Sequence, residues 1–398
     1  MLCEISKGVF WVGAVDWNVR NFHGHTFNTF SGTTYNAYLI IDDKITLIDT
    51  VFGPFSRDLL ENISAIVPPE KIDYVVANHV ETDHSGALPE VMRAAPRAKL
   101  LGTAKCREGL SRHYYADWPF QTVKTGDRLV LGKKSLIFIE APMLHWPDSM
   151  FTYLDEKEIL FSNDAFGQHL AHCRRFADEA EQGMLMREAA KYYANILWPL
   201  SRLVSGKIAE LRKSGLPVSM IAPSHGMIWR NDPGAIIESY SRWALNSSVP
   251  RAVVVYESMW GGTEKMAGAI YSGLLETGAE AEVFDINRAD RTEIIGRMLE
   301  AGGYLFGSST HDNGMLPNLA GFLHLLKGLK PQNRLSAVFG SFGWAGGAVN
   351  EMEALLSGAG IPPACRGLSV QYRPSPADLE ACREFGREFG RRLIEAHK

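Results

Sequence analysis

"NHVETDHSG", residues 78–86, decides how the first part of this chain folds and what it holds. His79, Glu81, Asp83 and His84 lie within six positions, and each side chain type can bind a metal. The apolar run "YVVAN" (74–78) before them reads as a strand. Helical periodicity resumes near Ser85, which reads as an N-cap. The cluster is therefore expected on a loop between a strand and a helix, where side chains converge without helical spacing.

Further candidates occupy matching positions. His145 follows "IFIEAPML", Asp164 follows "EILFSN", and His225 follows "PVSMIAPS". Four strand ends thus present four histidines and three carboxylates. Seven ligands exceed the four that a tetrahedral zinc takes. They suit two metals of higher coordination sharing a bridging carboxylate. The donors are nitrogen and oxygen without thiolate, which suits iron, zinc or manganese.

The bulk composition frames these motifs. The chain has 398 residues, enough for two or three domains, and is 46% hydrophobic and 22% charged, as in soluble globular proteins. A net charge of −4 argues against nucleic-acid or anionic-membrane partners, with "HCRRF" (172–176) the nearest thing to a basic patch. Cys3, Cys106, Cys173, Cys365 and Cys382 are scattered and contain no CxxC, so a reducing compartment is expected and a fused rubredoxin or ferredoxin module is not. No signal peptide and no run of ~20 apolar residues is present, so the protein reads as cytoplasmic.

The chain changes character at "LNSSVPR" (245–251), a short linker. It divides the chain into expected domains 1–248 and 249–398. Before the linker, many short strands are interspersed with helical stretches near 56–66, 85–95, 104–113 and 182–213, which fits a sandwich of sheets with helices outside. After it, strands at 251–257, 281–286, 303–308, 335–341 and 367–372 alternate with helices. That order predicts a five-stranded, doubly wound parallel sheet.

"YESMWGGTEKMA" (256–267) follows the first of those strands. Ser258, Met259, Trp260, Gly261, Gly262 and Thr263 form a glycine- and hydroxyl-rich turn before a helix, a natural site for one phosphate, as in FMN. Two more loops leave strand ends. "GSSTHDNGMLP" (307–317) offers Ser309, Thr310, Asn313 and Gly314, and "GSFGWAGGAVN" (340–350) offers Ser341, Phe342, Gly343, Trp344 and Gly346. Trp260 and Trp344 could cover an isoalloxazine ring; each taken alone could equally be core packing.

With both constellations together, the sequence resembles the flavodiiron proteins, also called A-type flavoproteins. HxExDH, "LHWPDSM" (144–150), "SNDAFG" (162–167), "PSHG" (223–226) and "SMWGGTEKMA" (258–267) occur in the family's order. The resemblance implies an α/β chain: a metallo-β-lactamase-like αββα sandwich, then a flavodoxin-like domain. It implies one FMN and two irons per chain. His79, Glu81 and His145 would bind one iron, Asp83, His84 and His225 the other, and Asp164 would bridge. His84 is the ligand that varies among family structures. Trp146 and Asp148 flank the site, and His169, Tyr192 and Tyr193 are further candidates beside it. Many relatives carry Ser or Thr where this chain has Gly262.

The activity implied is reduction of O2 to water, or of NO to N2O. The absence of a fused donor module favours O2. A separate rubredoxin or a reduced deazaflavin would supply electrons to a head-to-tail homodimer, alone or as a dimer of dimers. Two other readings stay open on the residues: a binuclear zinc hydrolase, against which Glu81 and the flavin loops speak, and a flavin electron carrier with a relic first domain.

Overall fold

The fold is described from a computed structural model covering residues 3–398. The chain forms two compact units. The first extends to Tyr192 and includes Arg202–Ser241; the second comprises Tyr193–Ser201 and Arg242–Lys398. Residues 193–201 lie inside the 1–248 span read from the sequence but cluster with the second unit. Their anchors explain this: Trp198 Nε1 donates to Asn246 Oδ1 at 2.8 Å, and Asn195 Nδ2 to the Thr292 carbonyl at 3.0 Å. The single helix expected over 182–213 is correspondingly broken. It runs Gln182–Tyr192, loosens to a wider turn at Tyr193–Leu197, tightens at Trp198–Leu200 and resumes at Ser201–Ser214. Pro199 lacks the N–H that a continuous helix would need there.

The first unit is built on two sheets. Seven strands run in the order Cys3–Ser6, Val9–Trp11, Tyr38–Ile40, Ile45–Ile48, Ile72–Val76, Lys99–Gly102 and Phe120–Thr122. Five more run Arg128–Val130, Ser135–Glu140, Met150–Leu154, Ile159–Asn163 and Met220–Pro223. Alternation of side chains decides what each face of the first sheet meets. Ile48, Val76 and Leu101 pack with Phe138, Met150 and Phe161 of the second sheet. Their neighbours Leu47, Val75 and Leu100 face the opposite way, against Leu59 and Ile63 of the helix Ser56–Ser64 and Leu88 and Val91 of Leu88–Ala94. Lys207 of the helix Ser201–Ser214 donates to the Glu140 carbonyl at 2.6 Å, tying a helix to the second sheet. The result is the layered sandwich read from the sequence.

The second unit carries five parallel strands in the order Glu280–Asp285, Val249–Glu257, Ala301–Ser309, Leu335–Phe342 and Leu368–Gln371. In chain order this is 2-1-3-4-5, the doubly wound arrangement that binds ligands beyond the carboxyl ends of its strands. Its first strand begins at Val249, inside the stretch read as linker. Among the described residues no helix is long and apolar enough to cross a membrane.

Candidate metal centre and flavin site

Strand ends in the first unit deliver the metal-type ligands. His79 follows Ile72–Val76, Asp164 follows Ile159–Asn163, and His225 follows Met220–Pro223. His145 lies five residues beyond Ser135–Glu140. Asp83 and His84 sit on a helical turn, Thr82–Ser85. Ser85 therefore closes that turn instead of capping the next helix, and its hydroxyl donates to the Val80 carbonyl at 2.6 Å. Asn78 fixes the start of the loop: its N–H and amide donate to Asp49 at 2.7 and 2.9 Å, and its Oδ1 accepts from Thr152. Asn163 takes a left-handed backbone (φ 52), which asparagine tolerates better than most residues, and so turns Asp164 inward.

All seven side chains converge, in two halves. His145 Nε2 lies 3.3 Å from Glu81 Oε2 and 3.5 Å from Asp164 Oδ2; His79 Nε2 lies 3.4 Å from Glu81 Oε2. On the other side, His225 Nε2 lies 3.0 Å from Asp83 Oδ2, and His84 Nε2 lies 3.4 Å from Asp83 Oδ2. His84 and His225 reach Asp164 Oδ1 at 3.1 and 3.6 Å. Asp164 thus turns one oxygen to each half. Ligand atoms ~2.1 Å from a common ion, at right angles or slightly wider, stand about 3.0–3.4 Å apart. Asp83 meets His84 and His225 at that spacing, and His79 and His145 stand slightly farther from Asp164 Oδ2, at 3.9 and 3.5 Å. The ligand atoms of each group, His79, His145, Asp164 and Asp83, His84, His225, lie within 4.8 Å of one another and could hold an ion.

The surroundings prepare these atoms. Asp148 Oδ2 accepts from His79 Nδ1 at 3.0 Å and from the Val80 N–H at 2.8 Å. The Thr34 carbonyl accepts from His225 Nδ1 at 2.7 Å. Both bonds fix the ring orientation and leave Nε2 facing the site. Burial would lower the histidine pKa values, but neighbouring carboxylates outweigh it. Asp148 and Glu81 hold His79 up at about 10, Asp164 and Glu81 hold His145 at about 10, and Asp83 and Asp164 hold His84 at about 9. Burial opposes ionisation of Asp164, yet His84 and His145 keep it well below the usual carboxylate range. Asp83 Oδ1, His84 Nδ1 and Asp164 Oδ2 are buried and make no hydrogen bond. Buried polar atoms are seldom orphaned, and of these three Asp164 Oδ2 is the one turned toward the other ligands, so it fits a metal; Asp83 and His84 offer the site Oδ2 and Nε2.

One neighbour is not legible in the sequence. His23, on the turn between Asn21–Phe22 and Phe27–Asn28, places Nε2 3.3 Å from Glu81 Oε1. Its signal was a His-Gly-His sequence between two aromatics, which a turn reading alone does not connect to Glu81. Of the two tyrosines, Tyr192 reaches the cluster, donating to Asp164 Oδ1 at 3.0 Å. Tyr193, also named as a flanking residue, bonds Ser201 Oγ at 3.0 Å instead. Successive helical residues point about 100° apart, so both could not reach one carboxylate. His169 stacks on Phe22 (centroids 4.3 Å), and Trp146 packs edge-on to His79 (5.1 Å).

In the second unit the three predicted loops also converge. Thr263 Oγ1 lies 3.0 Å from Ser309 Oγ and 2.9 Å from Ser341 Oγ, so one hydroxyl from each loop ties the three together. Thr310 Oγ1 accepts from the Ala348 N–H at 3.3 Å. Ser258 Oγ is buried without a partner. Gly261, at φ 78, starts the helix Gly262–Glu276, whose first N–H groups receive no side-chain cap. Free N–H groups, a helix dipole and an orphaned hydroxyl fit a phosphate. A Cβ on Gly262 would stand 3.2 Å from Ser341 Oγ and 3.3 Å from the Tyr372 carbonyl, so this side of the helix start is already filled. Trp260 and Trp344 are each 91% exposed. Neither is core packing; both leave their rings available to a planar ligand. Met259 and Phe342 belong to the same two loops, the former donating its N–H to Ser309 Oγ at 3.3 Å. Asn313, Gly314, Gly343 and Gly346 shape the other two loops. A Cβ on Gly314 would meet Glu351 Oε2 at 2.6 Å.

Known proteins with these features share the whole architecture. Residues 33–226 match the ODP family beta lactamase, and residues 254–386 match flavodoxin. A protein named nitric oxide reductase from Moorella thermoacetica is 48% identical over 393 residues, 98% of each chain. The structure of rubredoxin oxygen:oxidoreductase from Desulfovibrio gigas superposes with a TM-score of 0.97 at 37% identity, covering 100% of this chain and 99% of that one. The flavodiiron protein of Giardia intestinalis gives 0.96 at 36% identity, covering 100% and 97%. With a β-lactamase-like domain, a flavodoxin domain and full-length relatives of this similarity, the chain belongs to the flavodiiron proteins, oxidoreductases that carry FMN and a non-haem diiron site.

Proposed function

We propose that this chain is a nitric oxide reductase that draws electrons through FMN to a diiron centre held by its first domain. When bound, FMN and the iron pair supply the redox chemistry, two electrons and two protons for each pair of NO molecules converted to N2O and water. His79, Glu81 and His145 would hold one iron and Asp83, His84 and His225 the other, with Asp164 offering one oxygen to each half. The observation that carries this assignment is the two-faced Asp164, with Oδ2 toward His79 and His145 and Oδ1 toward His84 and His225. His84 counts as a ligand here because its Nε2 lies within 3.4 Å of both Asp83 and Asp164 oxygens.

The protein's own groups orient the ligands. Asp148 and the Thr34 carbonyl hold two of the rings, and Tyr192 donates to the bridging carboxylate. Glu81 and His145 are the less buried ligands, so that edge of the cluster is where a diatomic substrate enters, with His23 beside it. Loops 258–263, 307–317 and 340–350 hold the FMN.

The choice of NO over O2 rests on the Moorella relative. The sequence reading favours O2, but a protein matched over 98% of its own length and named nitric oxide reductase outweighs it. Oxygen reduction remains the second reading, supported by the name of the Desulfovibrio gigas structure at 37% identity. A separate small redox protein such as rubredoxin, or a reduced deazaflavin, delivers the electrons in the cytoplasm. A head-to-tail homodimer brings one subunit's FMN to the other's irons. The test is parallel NO and O2 consumption by the iron-loaded, fully reduced protein at matched concentrations. Faster NO loss with stoichiometric N2O is expected; faster O2 loss would move the assignment to oxygen reduction.

A further inference from the structure

Four loops, not three, meet at the carboxyl ends of the parallel strands. The fourth follows Leu368–Gln371 and begins with Tyr372. Its backbone is locked in place. The Tyr372 N–H donates to the Phe342 carbonyl at 2.6 Å, and Gln371 Nε2 donates to the Gly343 carbonyl at 3.0 Å. A methyl on Gly343 would stand 3.6 Å from Tyr372 Cε1, and one on Gly262 would stand 3.3 Å from the Tyr372 carbonyl. Tyr372 therefore spans from the start of the phosphate-type helix to the Gly343 loop.

Two properties mark this residue. Its φ is 56, a left-handed backbone that is uncommon for a bulky side chain. Its ring is nevertheless 64% exposed, so no core packing accounts for the conformation. Strained positions of this kind concentrate at ligand clamps. Trp260 and Trp344 present exposed rings on loops at the same strand ends. Three exposed aromatic side chains on loops at one edge of the sheet are suited to a planar aromatic ligand.

We infer that Tyr372 is a further flavin-positioning residue, whose ring packs against bound FMN from the side of the Gly343 loop. It holds the cofactor and takes no part in electron or proton chemistry. The experiment uses the full-length chain stripped of flavin and titrated with FMN. Tyr372→Ala is expected to weaken FMN binding about tenfold, the scale of one lost aromatic contact. It should also shift the bound flavin's visible absorption and its midpoint potentials. Tyr372→Phe keeps the ring and should restore all three. Urea midpoints equal to that of the parent separate this role from a folding defect. Parent-like affinity, spectrum and potentials in Tyr372→Ala would overturn the inference, and would do so equally if that variant lost only its self-association. A parent chain that takes up no FMN would overturn the cofactor assignment along with it.

Discussion

The metal cluster and the flavin loops are both built at strand ends, but from opposite materials. The cluster is made of side chains, most of them buried, with His79 and His225 held by specific partners before any ion arrives. The flavin site is made mainly of backbone, with a hydroxyl triangle beneath and exposed rings above. A site of the first kind concentrates its function in single atoms. A site of the second kind spreads it over many N–H groups, none indispensable. Substitutions should therefore act sharply in the first unit and mildly in the second.

The largest effect is expected at Asp164, since both halves of the cluster share its carboxylate. Asp164→Ala should cut iron content and NO turnover by about a hundredfold or more while leaving FMN bound, given that even outer partners of ligands cost 10–100-fold. Iron and flavin counts on the purified variant check both halves of that statement. Retained iron at two per chain would break the contrast drawn above.

Asp148 comes next. It touches His79 Nδ1 and the Val80 N–H. Asp148→Asn keeps the shape but loses the charge, and should weaken iron binding about tenfold. Unchanged affinity would mean that the loop, not this bond, fixes His79.

Without metal, the same cluster should respond to pH. His79 and His145, held at about 10, and His84, at about 9, lie above the ordinary histidine value of 6.5. A raised pKa contributes stability that is fully present below 6.5 and is lost as pH climbs through 9 to 10. The chelated protein should melt at progressively lower temperature from pH 7 to 10, and the iron-loaded protein less so, because metal replaces those protons. Parallel melting curves that fall equally would show that the cluster histidines are not the cause.

Much of this was readable because it is local. Strand and helix alternation after residue 250 follows from apolar runs, and HxExDH places four ligands in six positions. The rest depends on long-range geometry. Asp148 meets His79 across 69 positions, and Tyr192 meets Asp164 across 28, where a shift of one residue selects Tyr192 over Tyr193. The break at Tyr193–Leu200 is marked within 182–213 by Pro199, but the anchors at Asn246 and Thr292 that place it lie outside that stretch.

On the flavin side the expected effects shrink. Trp260→Ala and Trp344→Ala should each loosen FMN a few-fold, yet change folding stability by no more than ~0.5 kcal/mol, because both rings are 91% exposed. A urea midpoint far below the parent would mean that the rings support the fold and not the ligand.

Gly262→Ser sets the lower bound. Its φ is not left-handed, so a side chain is allowed by the backbone, and only space decides the outcome. The added Cβ would meet Ser341 Oγ at 3.2 Å and the Tyr372 carbonyl at 3.3 Å, a few tenths of an ångström too close. Ser341 is a rotatable hydroxyl shared with Thr263 and Ser309, so it can yield a few tenths of an ångström by lengthening those two contacts, at a cost of ~1 kcal/mol. The new hydroxyl would gain a contact of similar size if it reached the phosphate. These terms nearly cancel, and FMN affinity should stay within about threefold of the parent. A loss as large as that of Tyr372→Ala would instead make the packing between Gly262, Ser341 and Tyr372 a single rigid unit. The flavin site would then resemble the metal cluster in its dependence on individual atoms.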